Sequence, residues 1–373
     1  MGAGGGGAAT VAAPSGCGGY FQSRSPRPVP DPQTVRARAP LRLGFGGGGT
    51  DVSPYADTRG GLVLNATIGR HAHVTIVPNA TGRVCLRSVD FGEALEFDAA
   101  EGPPDGAAEM RLAAGVYRAL GVGGERPGQG FDLVLRTDAP PGSGLGSSST
   151  AVVALIGAFE RWLRTGLDRY EIARLAYRVE REDLGMHGGR QDQYAAAFGG
   201  FNFMEFDGSD VLVNPLRIRD EVVWELEASL VLAWTGQSRL SSQIIEGQIR
   251  NAEAGAADAL DAMDRTKALA LDMKRHLLTG SLGAFGETLD EAWRVKQRMA
   301  GGITTDTLDE IYGAARAAGA IGGKVSGAGG GGFMFFFAEP GRRHAVVEAV
   351  EARGAQAVHF GFTDRGLETW TIP

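Results

Sequence analysis

A glycine- and serine-rich segment, Pro140 to Thr150, has the residue types and the spacing needed to bind phosphate. Its sequence, PPGSGLGSSST, follows an apolar strand-like run and leads directly into a helix with apolar periodicity. Glycines allow backbone N–H groups to approach an anion closely, and the first turn of a helix contributes about half a positive charge. The segment therefore predicts a loop that holds the phosphates of a nucleotide.

Three consecutive serines in this segment, Ser147, Ser148 and Ser149, place hydroxyl groups where a Mg²⁺ ion bound to nucleotide phosphates would lie. Serine is also a common N-cap of helices, so a structural role is the alternative for one of them. The glycines that precede the serines favour the phosphate-binding interpretation.

Two other glycine-rich segments, Gly44 to Gly49 and Gly327 to Gly332, have the spacing of the dinucleotide-binding pattern. A dinucleotide site requires a strand, a glycine turn and then a helix. No helix is predicted after the first segment, and the second runs into the apolar strand Phe333 to Ala338. The run around Lys324 also fails the P-loop pattern, since it lacks both the first glycine and the hydroxyl residue of that pattern. Neither nucleotide-binding motif is therefore present.

Strands and helices are interleaved around these segments. Apolar runs predict strands at residues 41–45, 62–68, 72–77, 131–137, 201–206, 230–234, 333–338 and 356–362. Helical periodicity begins near residues 150 and 172 and continues near 240–278, 283–299, 305–318 and 342–353. We expect a disordered Gly/Ala/Pro-rich tail over residues 1–34, a nucleotide-binding domain over 35–215 and a second domain over 216–373.

Composition excludes several classes of function. The 373 residues carry a formal net charge of −7 with no long basic run, so a nucleic-acid partner is not indicated. Two distant cysteines indicate no disulfide framework, and no apolar run approaches the roughly 20 residues of a membrane span. We expect a cytoplasmic protein without a membrane partner. His71 and His73 share one strand face but lack a third ligand at metal-binding spacing, which favours a packing or surface role.

Three separated segments together resemble the motifs of the GHMP kinases, a family named for galactokinase, homoserine kinase, mevalonate kinase and phosphomevalonate kinase. They are Ala39 to Arg42 with Gly47 and Thr50-Asp51, Pro140 to Thr150, and Lys324 to Phe333. The segments occur in the family's order, and the resemblance extends from Arg38 to the C-terminus. It implies an α+β fold of two domains, one with a ribosomal-protein-like βαβ element and one ferredoxin-like. It also implies that the active site lies between them and uses ATP and Mg²⁺.

The resemblance implies a role for individual residues. The implied catalytic residues are Asp192, as the base or orienting group on the acceptor hydroxyl, and Arg42, as a cation that stabilises developing negative charge. The implied Mg²⁺ ligands are Ser148 and Glu180, with Glu182 as the alternative to Glu180. The implied substrate-binding residues are Thr50, Asp51 and Arg190. The implied ATP-binding residues are Pro141, Gly142, Gly144, Leu145, Gly146, Ser147, Ser148, Ser149, Lys324, Ser326, Gly327 and Gly329.

Residue chemistry alone leaves a structural alternative for each of these roles. Asp192 lies in a glycine-rich turn, where aspartate commonly caps or stabilises the turn. Arg42 would otherwise be a surface arginine on a strand, and Glu180 a solvated charge on a helix. Thr50-Asp51 could cap a turn after the preceding glycines.

Within the family, the chain most resembles the kinases of D-glycero-D-manno-heptose 7-phosphate, through segments such as 47–51, 64–68, 180–185 and 198–206. This branch implies phosphorylation of the anomeric hydroxyl to the 1,7-bisphosphate, a step of nucleotide-activated heptose synthesis. A substrate with its own phosphate requires a second basic patch, for which Arg190, Arg294 and Lys296 are candidates. The alternatives are another sugar-1-kinase, of the fucokinase or glucuronokinase type, and a sugar sensor without turnover. The oligomeric state is left open, with a homodimer among the options.

Overall fold

The computed structural model describes residues 1–2, 33–105, 110–236 and 241–372. Residues from Pro32 to Pro373 form one compact unit. The tail predicted over residues 1–34 lies almost entirely outside the described residues. Among the described helices, none combines the length and the apolar character that crossing a membrane requires.

The first sheet has eight strands. They are β1 (Thr34–Gly46), β2 (Gly61–Asn79), β3 (Arg83–Ser88), β4 (Glu93–Asp98), β5 (Gly130–Thr137), β6 (Phe201–Asp207), β7 (Asp210–Pro215) and β12 (Glu368–Ile372). Their order is β12-β1-β2-β5-β3-β4, while β6 pairs with the first part of β2 and β7 pairs with β6. Neighbouring strands are antiparallel except for β3 and β5, which are parallel.

The second sheet has four antiparallel strands. They are β8 (Leu230–Trp234), β9 (Ala320–Val325), β10 (Phe333–Ala338) and β11 (Gln356–Val358). Their order is β11-β8-β10-β9, so in chain order the strands lie 4-1-3-2. This is the strand order of a ferredoxin-like sheet, and it confirms the predicted fold for this half of the chain.

Twelve α-helices and one π-helical turn, Arg178–Asp183, accompany the sheets in the described residues. The helices are α1 (Tyr55–Arg59), α2 (Arg111–Ala119), α3 (Val122–Glu125), α4 (Ser147–Leu163), α5 (Arg169–Tyr177), α6 (Gln191–Phe198), α7 (Asp220–Ser229), α8 (Ser241–Glu253), α9 (Ala257–Thr279), α10 (Leu282–Lys296), α11 (Asp306–Ala317) and α12 (Arg343–Glu351). The helix predicted over residues 240–278 is in fact α8 and α9. Gly255 adopts a left-handed φ of 63° between them, a conformation that a continuous helix does not allow.

Helix α4 positions the glycine-rich segment because it is buried along most of its length against β1 and β2. Its apolar residues pack on the face of the sheet that carries Val35, Ala37 and Ala39 of β1. Buried and partly exposed residues alternate over residues 34–39 of β1, so the opposite face of this part of the strand is partly exposed, whereas Leu41, Leu43 and Phe45 pack in a second core cluster with α9 and α10. The start of α4 is therefore held at a fixed point above the sheet.

The two sheets share side-chain packing. The ring of Phe45 on β1 lies edge-on to Phe285 of α10 and Phe335 of β10, with ring centres 5.5 and 5.7 Å apart. The last strand, β12, returns to pair with β1 in the first sheet. The domain prediction of 216–373 is therefore corrected at its C-terminal end, because the final strand belongs to the sheet of the N-terminal part.

Candidate active site

A cavity of about 860 Å³ is lined by all three of the separated segments singled out in the sequence. Its lining includes the catalytic candidates Arg42 and Asp192 and the metal candidate Glu180. The predicted ATP-binding residues that line it are Pro141, Gly142, Gly144, Gly146, Ser147, Ser148, Ser149 and Gly327. Folding therefore brings residues that are far apart in the chain to one cavity.

Four predicted ATP-binding residues lie outside this lining. Leu145 and Ser326 are fully buried, and Gly329 packs tightly against Ile303. Lys324 is also buried, and its Nζ donates to the carbonyl of Phe45 at 3.0 Å. Burial and the positive charges of neighbouring Lys296 and Arg42 hold the pKa of Lys324 well below its usual range. Their burial argues against direct contact of these four residues with ATP. The four residues support the walls of the cavity instead.

The buried side chain of Arg42 forms an ion pair with Asp192, which is 18% exposed. The Nε and Nη2 atoms of Arg42 each lie 2.7 Å from Oδ1 of Asp192, and the Arg42 side chain is 4% exposed. Nη1 donates to the carbonyl of Gly144 at 2.6 Å, which ties the arginine to the glycine-rich segment. The interpretation of Arg42 as a surface arginine is therefore wrong. The pair fixes the carboxylate beside the start of α4.

Two glycine-rich segments contact each other directly at Gly144 and Gly327. A Cβ on Gly144 would lie 2.3 Å from the carbonyl oxygen of Ser326, and one on Gly327 would lie 2.8 Å from the carbonyl oxygen of Gly144. The Ser326 hydroxyl donates to the same Gly144 carbonyl at 2.9 Å. Any side chain at these two glycines would push the segments apart. Glycine is required here for close backbone approach.

The first turn of α4 has no side-chain cap. Gly146 occupies the N-cap position with a left-handed φ of 79°, and no described side chain accepts a hydrogen bond from the turn that follows. The alternative interpretation of a serine as the N-cap is therefore wrong. Backbone N–H groups at this end and the positive end of the helix dipole face the cavity that Gly146 and Ser147 line. This arrangement suits a phosphate group.

Glu180 lies on the π-helical turn and is fully buried. Its Oε2 accepts hydrogen bonds from the Ser149 hydroxyl at 2.7 Å and from Nε2 of Gln193 at 2.8 Å. Its Oε1 accepts no hydrogen bond from the described residues and lies 3.4 Å from Nη1 of Arg181. Glu182 is exposed and does not line the cavity. Of the two glutamates, Glu180 is the one that faces the site.

The Ser148 hydroxyl oxygen is buried and has no hydrogen-bond partner among the described residues. It shares this property with Oε1 of Glu180, and both residues line the cavity. Buried polar atoms without partners are costly unless a ligand satisfies them. A hydroxyl and a carboxylate oxygen are the hard donors that Mg²⁺ prefers, so the residues fit this ion.

Asp51 is buried in the cavity wall by a network centred on Gln191. The backbone N–H of Gln191 donates to Oδ2 of Asp51 at 3.1 Å, and Nε2 of Gln191 lies 3.3 Å from both carboxylate oxygens. Thr50 does not line the cavity. Its hydroxyl bonds to the backbone of Gly47 and Leu62 and holds the turn. The predicted substrate contact therefore fits Asp51 but not Thr50.

Lys296 on α10 brings a buried positive charge into the cavity. It is 4% exposed, and its Nζ donates to the carbonyl of Gly327. Burial and the nearby charge of Arg42 lower the pKa of Lys296 to about 8, while Asp51 and Asp192 oppose that shift. Lys296 was one of three candidates for a basic patch, and it is the one that the fold places at the site.

The other two candidates of that patch lie elsewhere. Arg190 does not line the cavity. Its guanidinium pairs with Asp57 at 2.8 Å, donates to Ser53 and Gly208, and lies over the ring of Tyr177. Arg294 is 69% exposed and pairs with Asp290 of its own helix. The prediction that Arg190 contacts the substrate is therefore corrected. Its guanidinium instead pairs with Asp57 and so links α1 to the start of α6.

Sequence reasoning gave no role to three polar residues of the site. Gln191 positions Asp51, Gln193 donates to both Glu180 and Ser149, and Arg181 donates to Ser149 at 3.2 Å while lining the cavity. The only sequence signal was their position beside Asp192 and Glu180. Which neighbours of a catalytic residue point inward depends on the π-helical turn and the start of α6.

Comparison with known proteins agrees with this geometry. Residues 111–200 match the family model described as GHMP kinases N terminal domain, and residues 272–356 match GHMP kinases C terminal. A D-glycero-alpha-D-manno-heptose 7-phosphate kinase of Campylobacter jejuni is 41% identical over 335 residues, which are 89% of this chain and 98% of that protein. The chain belongs to the GHMP kinase family.

Solved structures extend the relationship of this GHMP kinase. The crystal structure of a D-glycero-D-manno-heptose 1-phosphate kinase from Bacteroides thetaiotaomicron matches with a TM-score of 0.77 and 40% identity, over 91% of this chain and 99% of that chain. A Lactococcus lactis galactokinase complexed with galactose matches with a TM-score of 0.70 and 20% identity, over 91% and 95% of the two chains. The latter shows a shared fold. The family and the fold are thus confirmed, and the protein is a sugar kinase that transfers phosphate from ATP to an alcohol group.

Proposed function

We propose that this GHMP kinase phosphorylates the anomeric hydroxyl of D-glycero-D-manno-heptose 7-phosphate to give the 1,7-bisphosphate and ADP. The observation that carries the proposal is the ion pair of Arg42 with Asp192, which adjoins the uncapped start of α4 in one cavity. The choice of sugar rests on the 41% identity to a kinase named for that substrate. The product would serve the synthesis of nucleotide-activated heptose.

In the proposed reaction, Asp192 orients the acceptor hydroxyl and receives its proton. Arg42 holds Oδ1 of the carboxylate, which leaves Oδ2 for the sugar. The sugar oxygen forms a bond to the γ-phosphorus, and the bond from that phosphorus to the bridging oxygen of ADP breaks. Arg42 stabilises the negative charge that develops on the attacking oxygen.

The phosphates are assigned to the start of α4 and to Lys296. Backbone N–H groups of the segment 144–148 supply hydrogen bonds, and the helix dipole adds positive charge. Lys296 lines the same cavity as Arg42 and Asp192 and donates to the carbonyl of Gly327, so we assign it to the phosphoryl group in transfer. The apolar part of the lining, with Met110, Leu112 and Leu135, suits the nucleotide base.

Mg²⁺ is assigned to the Ser148 hydroxyl and to Oε1 of Glu180, neither of which has a hydrogen bond within the described residues, with Arg181 at 3.4 Å from that carboxylate oxygen. When bound, the ion would neutralise charge on the phosphates of ATP. Gln193 and Ser149 keep Glu180 in place by hydrogen bonds to its other oxygen. Asp51, held by Gln191, is assigned to hydroxyl groups of the sugar.

The test is an ADP-release assay with a matched panel of acceptors. We expect turnover with D-glycero-D-manno-heptose 7-phosphate, and at least tenfold lower kcat/KM with the unphosphorylated heptose, L-fucose, D-glucuronate and D-galactose. NMR of the product should show the new phosphate on C1. Preference for a free sugar would replace the proposed substrate with that of another sugar-1-kinase, and absence of ADP release with every acceptor would favour a sensor.

A further inference from the structure

His71 and His73 on β2 lie beside Asp138, which directly follows β5. One potential ligand atom from each residue lies within 4.8 Å of the other two. The sequence offered only the two histidines, because Asp138 is 65 residues from His73 and is brought next to it by the pairing of β2 with β5. The sheet therefore places a third potential ligand, distant in the sequence, beside the two histidines.

We propose that His71, His73 and Asp138 form a binding site for a divalent transition-metal ion of the Zn²⁺ type, on the sheet face opposite the α4 layer. Imidazole and carboxylate groups are ligands of such ions, and three protein ligands leave a coordination position for water. Histidines two residues apart on one strand project from the same face. None of the three residues lines the active-site cavity, so this site is separate from the proposed Mg²⁺ site.

Asp138 is already oriented toward the two histidines. Its Oδ2 accepts the backbone N–H of His71 at 2.9 Å and lies 3.3 Å from Nε2 of His73. Arg70 donates to the Asp138 carbonyl at 3.0 Å, which fixes the backbone and leaves the carboxylate for other partners. Metal binding would exchange the His73 hydrogen bond for coordination, with little rearrangement.

The candidate ligand groups are accessible from solvent. The side chains of His73 and Asp138 are 29% and 28% exposed, so an ion can reach them from solvent.

Positive charges next to the proposed site limit its affinity for a metal ion. Arg38 and Arg136 flank His73 on the adjacent strands, but Arg38 pairs with Glu368 at 2.6 Å. Arg136 lies 3.6 Å from Oδ1 of Asp138, whereas His71 and His73 contact Oδ2. We therefore expect binding at micromolar rather than nanomolar concentrations of metal.

The test is titration of the full chain with Zn²⁺ and with Co²⁺, in excess Mg²⁺ to occupy the hard-oxygen site. We expect one equivalent of Zn²⁺ to bind and to raise Tm, and Co²⁺ to give visible d–d absorption that Zn²⁺ displaces. His73→Gln and Asp138→Asn should each weaken binding by roughly tenfold or more. His344→Gln, which changes an exposed histidine paired with Glu348, is the matched control and should bind as wild type.

Circular dichroism and kinase activity would establish that each variant is folded. Unchanged Zn²⁺ affinity in folded His73→Gln and Asp138→Asn would overturn the proposal, as would the absence of saturable binding to the wild type. Loss of binding in His344→Gln alone would place the ion on α12 instead. None of these outcomes depends on the identity of the sugar substrate.

Discussion

Arg42 donates from Nε and Nη2 to a single oxygen, Oδ1, of Asp192, at 2.7 Å from each nitrogen. Oδ2 of Asp192 has no hydrogen-bond partner in the part of the chain that the structure describes. A Cβ on Gly146 would lie 3.2 Å from that oxygen, so the start of α4 passes directly beside it. One oxygen is thus used for positioning, and the other lies next to the presumed phosphate site.

Replacement of Asp192 by Asn should remove proton transfer while keeping the shape of the site. We expect kcat to fall by about 10²–10⁴-fold, the usual contribution of general base catalysis. ATP affinity, measured by fluorescence or calorimetry, should stay within a few-fold of wild type. Asp210→Asn, at an exposed hairpin position, is the matched control and should retain full activity. Wild-type turnover in Asp192→Asn would disprove the catalytic assignment.

The Mg²⁺ assignment is tested most cleanly by Ser148→Ala. The Ser148 hydroxyl has no protein partner among the described residues, so its removal should leave Tm unchanged. We expect the Mg²⁺ concentration for half-maximal activity to rise by about tenfold, within the range for loss of a metal contact. Equal Mg²⁺ dependence in variant and wild type would contradict the assignment.

The two glutamates of the π-helical turn should respond differently to the same substitution. Glu180→Gln should raise the Mg²⁺ requirement, and it should also lower Tm because Glu180 is buried and accepts from Ser149 and Gln193. Glu182→Gln changes an exposed side chain and should match wild type in both measurements. A higher Mg²⁺ requirement in Glu182→Gln only would reverse the choice between them.

Loss of the Lys296 charge should lower kcat at alkaline pH. Because burial and Arg42 lower its pKa from 10.5 to about 8, Lys296 is charged below pH 8 and becomes neutral as the pH rises through that value. We expect kcat to decline above about pH 8 as this positive charge is lost. In Lys296→Arg the charge persists to a much higher pH, so the decline should move upward.

Lys296→Met should lower kcat below about pH 8, where the wild-type lysine is charged, and the difference from wild type should shrink above that pH. Arg294→Gln, on the exposed side of the same helix, should not change kcat. If kcat declined at the same alkaline pH in wild type and in Lys296→Arg, the decline would have to be assigned to another titrating group.

Gly144→Ala should separate the two glycine segments. The added Cβ would lie 2.3 Å from the Ser326 carbonyl oxygen, so the backbone must move. We expect a rise of about tenfold or more in KM for ATP and a loss of about 1–3 kcal/mol in the free energy of unfolding. Gly128→Ala is the matched control, because Gly128 also has a positive φ but faces open space. It should lose stability without a change in KM, and an equal change of KM in both variants would contradict the contact.

Local sequence was sufficient to predict the glycine-rich turn that leads into α4 and most of the strands. The glycines at 142, 144 and 146 all adopt positive φ, as their residue type suggests, and α4 follows from its apolar periodicity. These features depend on interactions between residues close in the chain, which explains why sequence alone reveals them. The family resemblance then supplied the roles of Asp192, Arg42 and Glu180.

The outcome for Arg190 and Lys296 could not be read from sequence. In the sequence Arg190 lies in a glycine-rich turn and Lys296 in a helical run of basic residues. In the structure Arg190 pairs with Asp57 and Ser53, whereas Lys296 is buried in the wall of the cavity. The return of β12 to β1 and the placing of Asp138 beside His71 and His73 are equally non-local. In each case the partner lies dozens to hundreds of residues away.

Residue types and their spacing determined by themselves which backbone segments can hold phosphate, and which carboxylates and cations were available for chemistry. Tertiary structure alone decided which of these side chains face the cavity. The reason is physical: the burial of each charge and the partners that it finds are set by residues distant in the chain.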